Sequence, residues 1–205
     1  MKIIGVSGGI GSGKSMVCKI FATLGVPIYV ADDRAKWLLN NDELLKNKVI
    51  ELLGIEAYTP EGVYDRAWVA AQVFNNPSLL QVLNAIVHPR VYEDTEEWAK
   101  QNADKPYVIK EAALFKKAGE GNNLDFLVVV TAPIELRVAR VKQRDPQRSE
   151  QEINDIIARQ MPDDKRLENA DFVILNDEAH LLIPQVLSLH QKFLNSNTTN
   201  EDPAN

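Results

Sequence analysis

The chain has 205 residues, 45% hydrophobic and 25% charged, with 23 Lys and Arg against 29 Asp and Glu for a net charge of -6. These values suit a globular protein with a substantial core, organised as one compact domain with an inserted or appended subdomain. They exclude a nonspecific electrostatic grip on nucleic acid or anionic lipid, so any phosphate must be held by a local site.

The run Lys2-Ile-Ile-Gly-Val6, closed by glycines, suits a buried parallel strand. It is too short, and Ser7 to Ser15 too polar, for a signal-peptide core. No apolar run in the chain approaches the roughly 18 residues of a membrane span. A helix is expected from about Lys14 to Leu24, with Val17, Cys18, Ile20 and Phe21 in its apolar pattern. Cys18, the single cysteine, therefore reads as a buried thiol, and a reducing cytoplasm is the expected location. Gly25 ends that helix, and Pro27-Ile-Tyr-Val30 reads as a second strand that delivers Asp32 and Asp33 at its carboxyl end.

From Asp33 to Asn102 the pattern is helical: Arg34 to Asn40, Glu43 to Leu53, Arg66 to Asn75, and a longer stretch from Ser78 containing Pro89. Gly54 to Tyr64, with Pro60 and Gly62, is the expected connecting loop. Strands return at Tyr107 to Glu111 and Phe126 to Thr131, with a turn over Gly119 to Asn123 between them. Pro133 begins a helix that runs to about Arg144, where Asp145-Pro146 interrupts it. Two helical pieces broken at Pro162 follow, then a strand over Phe172 to Leu175 and a helix from Ala179 to Leu194. Residues 196–205 are polar and aperiodic, which predicts a disordered tail. Strands alternating with helices predict an α/β fold with about five parallel strands and a helical insertion after Asp33.

Gly8-Gly-Ile-Gly-Ser-Gly-Lys14-Ser15 fits G-x-x-x-x-G-K-[ST] at every fixed position, between a predicted strand and a predicted helix. Five of the ten glycines lie from Gly5 to Gly13. A loop that wraps its N–H groups around phosphate oxygens needs backbone angles and close approaches that side chains obstruct. The helix that follows points its positive end at the same place. Lys14 is expected at the β- and γ-phosphates and the Ser15 hydroxyl on Mg²⁺.

Such a loop serves GTPases, ATP-driven machines and small-molecule kinases alike. A GTPase would offer N-K-x-D, but Asn47-Lys48 is followed by Val49-Ile50, and no Asp stands three residues before any glycine. The most hydrophobic strand ends in Thr131 rather than in the acid of an ATPase. A small-molecule kinase is left as the main reading, and it needs a group that accepts the proton of the attacking hydroxyl. Asp32 and Asp33 are the best-placed acids; one can cap the helix starting near Arg34 while the other acts in catalysis or metal binding. Of Arg137, Arg140, Arg144, Arg148, Arg159 and Arg166, one or two are expected on phosphate in a mobile lid and the others on a solvated surface.

The loop, the step Ala31-Asp32 followed by Ala35-Lys36, Asn84-Ala-Ile-Val-His88-Pro89, Gln143-Arg144-Asp145, and Ala170-Asp171 leading to Asn176 together resemble dephospho-CoA kinases, from Ile3 to about Leu194. The resemblance implies phosphorylation of the ribose 3′-hydroxyl of dephospho-CoA by ATP with Mg²⁺. It implies Asp32 as general base, with Lys14 and Arg140 beside it in catalysis. Nucleotide contacts would come from Gly9, Ile10, Gly11, Ser12, Gly13, Lys14, Ser15, Met16, Arg140 and Asn176, the last beside the adenine pocket. Asp32, Lys36, His88 and Arg90 would meet the acceptor, and Ser15 the metal. It also implies a P-loop three-layer fold in three parts: a core of about residues 1–32, 103–144 and 167–195, a helical acceptor-binding lobe of about 33–102, and a lid of about 145–166. Two departures stand out. Val30 occupies the place of an acid found in many relatives, which leaves Asp33 or Glu111 to support Mg²⁺, and Lys116 replaces the last acid of the usual Pro-Leu-Leu-Phe-Glu segment. The alternatives are another P-loop small-molecule or nucleotide kinase, or a nucleotide-dependent binding protein without phosphotransfer.

Overall fold

The computed structural model describes residues 1–74 and 76–195. Five strands form one parallel sheet in the order β2-β3-β1-β4-β5: β1 (Lys2–Ser7), β2 (Ile28–Val30), β3 (Tyr107–Glu111), β4 (Phe126–Thr131) and β5 (Phe172–Leu175). Central β1 pairs in parallel with β3, Val6 opposite Glu111, and with β4, Val6 opposite Val128. Its run from Ile4 to Ser7 is buried throughout, as expected of a parallel strand covered on both faces.

The chain divides into two compact units, residues 1–29 with 102–205, and residues 30–101. In the first unit, helix α1 (Lys14–Thr23) buries Val17, Cys18 and Phe21 against Ile4, Val6, Ile109, Val128, Val130, Ile174 and Phe193. Filling each such position contributes roughly 1.5–3 kcal/mol of apolar burial. The helix ends at Gly25, φ +81°, with the Gly25 N–H on Ala22 O and the Val26 N–H on Phe21 O, the paired bonds of a Schellman cap.

The second unit is helical. Its elements are α2 (Ala31–Asn41), α3 (Glu43–Leu53), a 3₁₀ turn (Ile55–Ala57), α4 (Arg66–Val73) and α5 (Pro77–Gln101). Leu38, Leu45, Val49, Tyr58, Val69 and Leu83 form its own core. Asp42 caps α3 by accepting from the Leu45 N–H, and Asp65 caps α4 through the Trp68 N–H. Helix α4 stops at Val73; the expected end at Asn75 lies outside the described residues. Among the described residues no helix is long and apolar enough to cross a membrane.

The first unit continues with α6 (Ile134–Arg144), α7 (Glu150–Arg159), α8 (Asp163–Glu168) and α9 (Leu182–Asn195). Ser149 and Glu152 close a capping box at the start of α7. Two expected boundaries move. Helix α2 starts at Ala31, three residues early, so Asp32 and Asp33 sit in its first turn, where a carboxylate favours the positive helix end, and neither caps it with its side chain. Helix α9 starts at Leu182 because Asp177 takes the amides of Ala179 and His180 at 3.1 and 3.0 Å, and Glu178 turns the chain at φ +68°. The expected solvated arginine surface is also wrong at two places: Arg137 and Arg166 are 2% and 4% exposed, held by one carboxylate.

Candidate active site

The phosphate loop, Gly8 to Ser15, leaves the carboxyl end of central β1 and runs into α1. That is the crevice end of an open parallel sheet, where ligands bind. Its glycines answer to crowding as well as to torsion. Gly13 has φ +97° and a Cβ there would overlap the Asn176 amide; a Cβ on Gly8 would overlap the Val130 carbonyl, and one on Gly9 the Arg137 guanidinium. No other residue can bring the backbone so close to these neighbours.

Lys14 is the first residue of α1, and its ammonium donates to Gly8 O at 2.9 Å, folding the side chain back over the loop. It stands 4.0 Å from Glu111 Oε1, both side chains largely buried. Glu111 ends β3, so the sheet register delivers an acid beside the loop where β4 offers only Thr131. The sequence carries this signal in Tyr107-Val-Ile-Lys-Glu111, a strand-like run ending on an acid, and Glu111 is one of the two acids expected to support Mg²⁺ in place of Val30. Ser15 and Met16 are exposed at the start of α1. Cys18, one turn later, is buried, and burial together with the Glu111 charge pushes its thiol up to about 12, so it stays neutral and unreactive.

On the other side of the loop, Asn176 follows β5. Its side-chain amide donates to Ser12 O at 2.8 Å, its backbone carbonyl accepts from Arg140 Nη1 at 3.0 Å, and its backbone N–H donates to Thr131 O at 2.9 Å. Arg140 also lies 3.7 Å from Glu178. The structure thus brings together Gly9 to Met16, Arg140 and Asn176, with the Asn176 side chain bracing Ser12. Gln185 secures the preceding residue, accepting from the Leu175 N–H and donating to Leu175 O, both at 2.9 Å. A cavity of about 330 Å³ opens between the ends of β4 and β5, lined by Thr131, Pro133, Ile134, Asp163, Leu175 and Asp177.

Arg137, expected as a possible phosphate ligand, turns inward. Its Nε donates to Ile10 O at 2.9 Å and its Nη1 to Asp163 at 2.6 Å. Arg166 donates to the other oxygen of Asp163 at 2.9 Å and to Met161 O at 3.2 Å. Burial, and the neighbouring Arg137 charge, pull the Arg166 guanidinium below its ordinary range, partly offset by Asp163. Gln160, for which the sequence held no signal, accepts from the Ile10 N–H at 2.9 Å.

In the helical unit the expected acceptor residues fall on two packed helices, α2 and α5, tied by Arg34 to Asp94 at 2.9 and 2.5 Å. The Asp32 side chain is exposed and makes no hydrogen bond or ion pair among the described residues. Asp33 is paired instead with Lys36 at 2.8 Å, both exposed, which leaves Glu111 the better supported of the two acids proposed to stand in for Val30. His88 is exposed on α5. Arg90 is turned to Asp42 at 2.6 Å and lines a groove of about 490 Å³ with Lys48, Glu51, Ile86, Pro89 and Glu93. Among the described residues no cluster of three or more His, Cys, Asp or Glu side chains could cage a metal. Magnesium held mainly by phosphate oxygens and water needs only one or two protein oxygens, and the Ser15 hydroxyl and Glu111 fit that requirement.

The family model described as dephospho-CoA kinase matches residues 2–181. A dephospho-CoA kinase of Bacteroides fragilis is 36% identical over 186 residues, covering 91% of this chain and 90% of the relative. One of Porphyromonas gingivalis is 34% identical over 189 residues, covering 92% and 93%. Among solved structures, a protein of Thermus thermophilus matches with a TM-score of 0.78 and 30% identity over 97% of this chain and 98% of that one. Dephospho-CoA kinase from Campylobacter jejuni matches with a TM-score of 0.70 and 25% identity, covering 97% and 100%.

Proposed function

The chain belongs to the dephospho-CoA kinase family and is an ATP-dependent kinase acting on dephospho-CoA; from that premise we propose how its own residues divide the work. The 3′-hydroxyl oxygen of the ribose attacks the γ-phosphorus of ATP, and the bond from that phosphorus to the bridging oxygen breaks. ADP leaves, and the hydroxyl proton passes to Asp32, whose exposed side chain has no partner among the described residues to give up first. Lys14 leaves Gly8 O for the β- and γ-oxygens, and Arg140 adds positive charge from the α6 side.

The observation that carries this reading is the loop itself. Gly8 to Ser15 runs from the carboxyl end of β1 into the start of α1, with Lys14 folded over it and Glu111 4.0 Å from the Lys14 ammonium. Ser15 and Glu111 are the residues that would hold Mg²⁺, directly or through water. When bound, the cation neutralises charge on the phosphate oxygens. Residues 33–102, with Lys36, His88 and Arg90, are the proposed acceptor lobe, and residues 145–166 the proposed lid. The single buried Cys18 fits a reducing compartment, the cytoplasm.

Release of ADP from ATP, followed with dephospho-CoA and with a panel of nucleosides, nucleotides and small alcohols, tests the acceptor. ADP should appear only with dephospho-CoA and Mg²⁺. ADP without acceptor would point to an ATPase, equal turnover of another acceptor to a different kinase, and ATP binding without ADP to a binding protein.

A further inference from the structure

The loop residue Ile10 has both of its backbone groups taken by side chains from far along the chain. Its N–H donates to Gln160 Oε1 and its carbonyl accepts from Arg137 Nε, each at 2.9 Å. Arg137 is itself immobilised: it is 2% exposed, its Nη1 is on Asp163 at 2.6 Å, and Arg166 holds the second oxygen of that carboxylate at 2.9 Å. The loop fits tightly around it. A Cβ on Gly9 would overlap its guanidinium, and one on Gly11, at φ +77°, would overlap its carbonyl. Two of the loop glycines thus serve Arg137 as well as any phosphate.

A phosphate-binding loop must aim several N–H groups at one anion, and an N–H that points elsewhere needs another acceptor. Gln160 supplies it for Ile10. A loop residue ordered only on ligand binding weakens that binding by about five- to thirtyfold. We propose that Arg137 and Gln160 are positioning residues that clamp Ile10 by both backbone groups and hold the phosphate loop in its receiving shape before ATP arrives. The clamp joins the loop to α6 and to the end of α7, and it acts on the nucleotide through the loop backbone. This rests on the reading that Gly8 to Ser15 holds the ATP phosphates.

The test uses the full chain, with ATP affinity measured by calorimetry and steady-state kinetics run alongside. Gln160→Met keeps the side-chain length and removes the acceptor; Arg137→Met removes the second bond and leaves Arg166 paired one-to-one with Asp163. Each should weaken ATP binding about fivefold or more, as loss of one hydrogen bond does, and raise KM for ATP in step. KM for dephospho-CoA and kcat at saturating ATP should stay within about twofold, a split that general destabilisation does not produce. ATP affinity unchanged in both folded variants, or a fall in kcat alone, overturns the clamp. Amide exchange of the ATP-free wild type gives a reading independent of any variant: the Ile10 N–H should be protected, and fast exchange there overturns the proposal. A wild type that binds no ATP would defeat the functional reading itself, whereas normal wild-type binding with unaffected variants defeats only the clamp.

Discussion

Around the phosphate loop four backbone groups are held by side chains, whereas the acceptor side chains expected in the helical unit are exposed or paired with carboxylates of that unit. Gly8 O, Ile10 N–H, Ile10 O and Ser12 O each have a side-chain partner from Lys14, Gln160, Arg137 and Asn176. Asp32 and His88 are exposed, and Lys36 holds only its neighbour Asp33. Triphosphate recognition is mostly backbone and benefits from being built in advance, because N–H groups fixed before binding cost nothing to reorganise during the reaction. A proton acceptor has to be free to meet its substrate, so solvation in the absence of substrate is the state expected of it.

The difference can be broken at either end. The largest effect is expected from Asp32→Asn, which keeps shape and removes basicity: kcat should fall about 10²- to 10⁴-fold while ATP affinity stays within about twofold. Turnover near wild type would take Asp32 out of the chemistry and leave the exposed acids without a role. Next is Gly13→Ala, which forces a Cβ into φ +97° and onto the Asn176 amide. Strain of about 1–3 kcal/mol should appear as an ATP affinity lower by about fivefold or more, with KM for dephospho-CoA unmoved. A parallel loss of both affinities would mean that loop and acceptor residues are not separately built.

Smaller still is a change in the helical unit's own framework. Burial pulls the Asp42 carboxyl up, but the Leu45 amide and the Arg90 guanidinium outweigh it and hold the group below its usual range. Its stabilisation is therefore complete above the ordinary carboxylate range and is lost as pH falls below that range through the depressed folded value. Asp42→Ala should cost about 1–2 kcal/mol at pH 7, chiefly a lost helix cap, and less at pH 3, as read from denaturant melts at the two pH values. An equal cost at both would assign the loss to packing. Lys36→Ala should change stability by under about 0.5 kcal/mol, since its pair with Asp33 is solvated. A rise of about fivefold in KM for dephospho-CoA would then separate an acceptor contact from a surface charge.

Strands Tyr107–Glu111, Phe126–Thr131 and Phe172–Leu175 and helix Glu43–Leu53 were legible to the residue, because each is a buried apolar run or a clear helical pattern ending at a turn signal. The loop was legible because its mechanism demands glycine, lysine and a hydroxyl at fixed spacing along one continuous segment. Asp32 was legible as an acid after a strand. The part played by Arg137, Gln160 and Asn176 was not, since they lie 127, 150 and 164 residues from the loop atoms they hold. Arg137, Arg140 and Arg144 stand at helical spacing and share a face, but that spacing does not say that the Arg137 end of the face is buried. Glu111 lay between: its acid was visible at the end of a strand, while its place beside Lys14 depended on β3 pairing with β1 rather than with its chain neighbour β4.

Local sequence alone determined that a triphosphate-binding loop exists here, because backbone torsions and phosphate geometry are set within eight neighbouring residues. Only the tertiary structure decided how that loop is held and which acid stands behind its lysine. Sheet order and helix packing choose those partners, and neither is written at any one position in the chain.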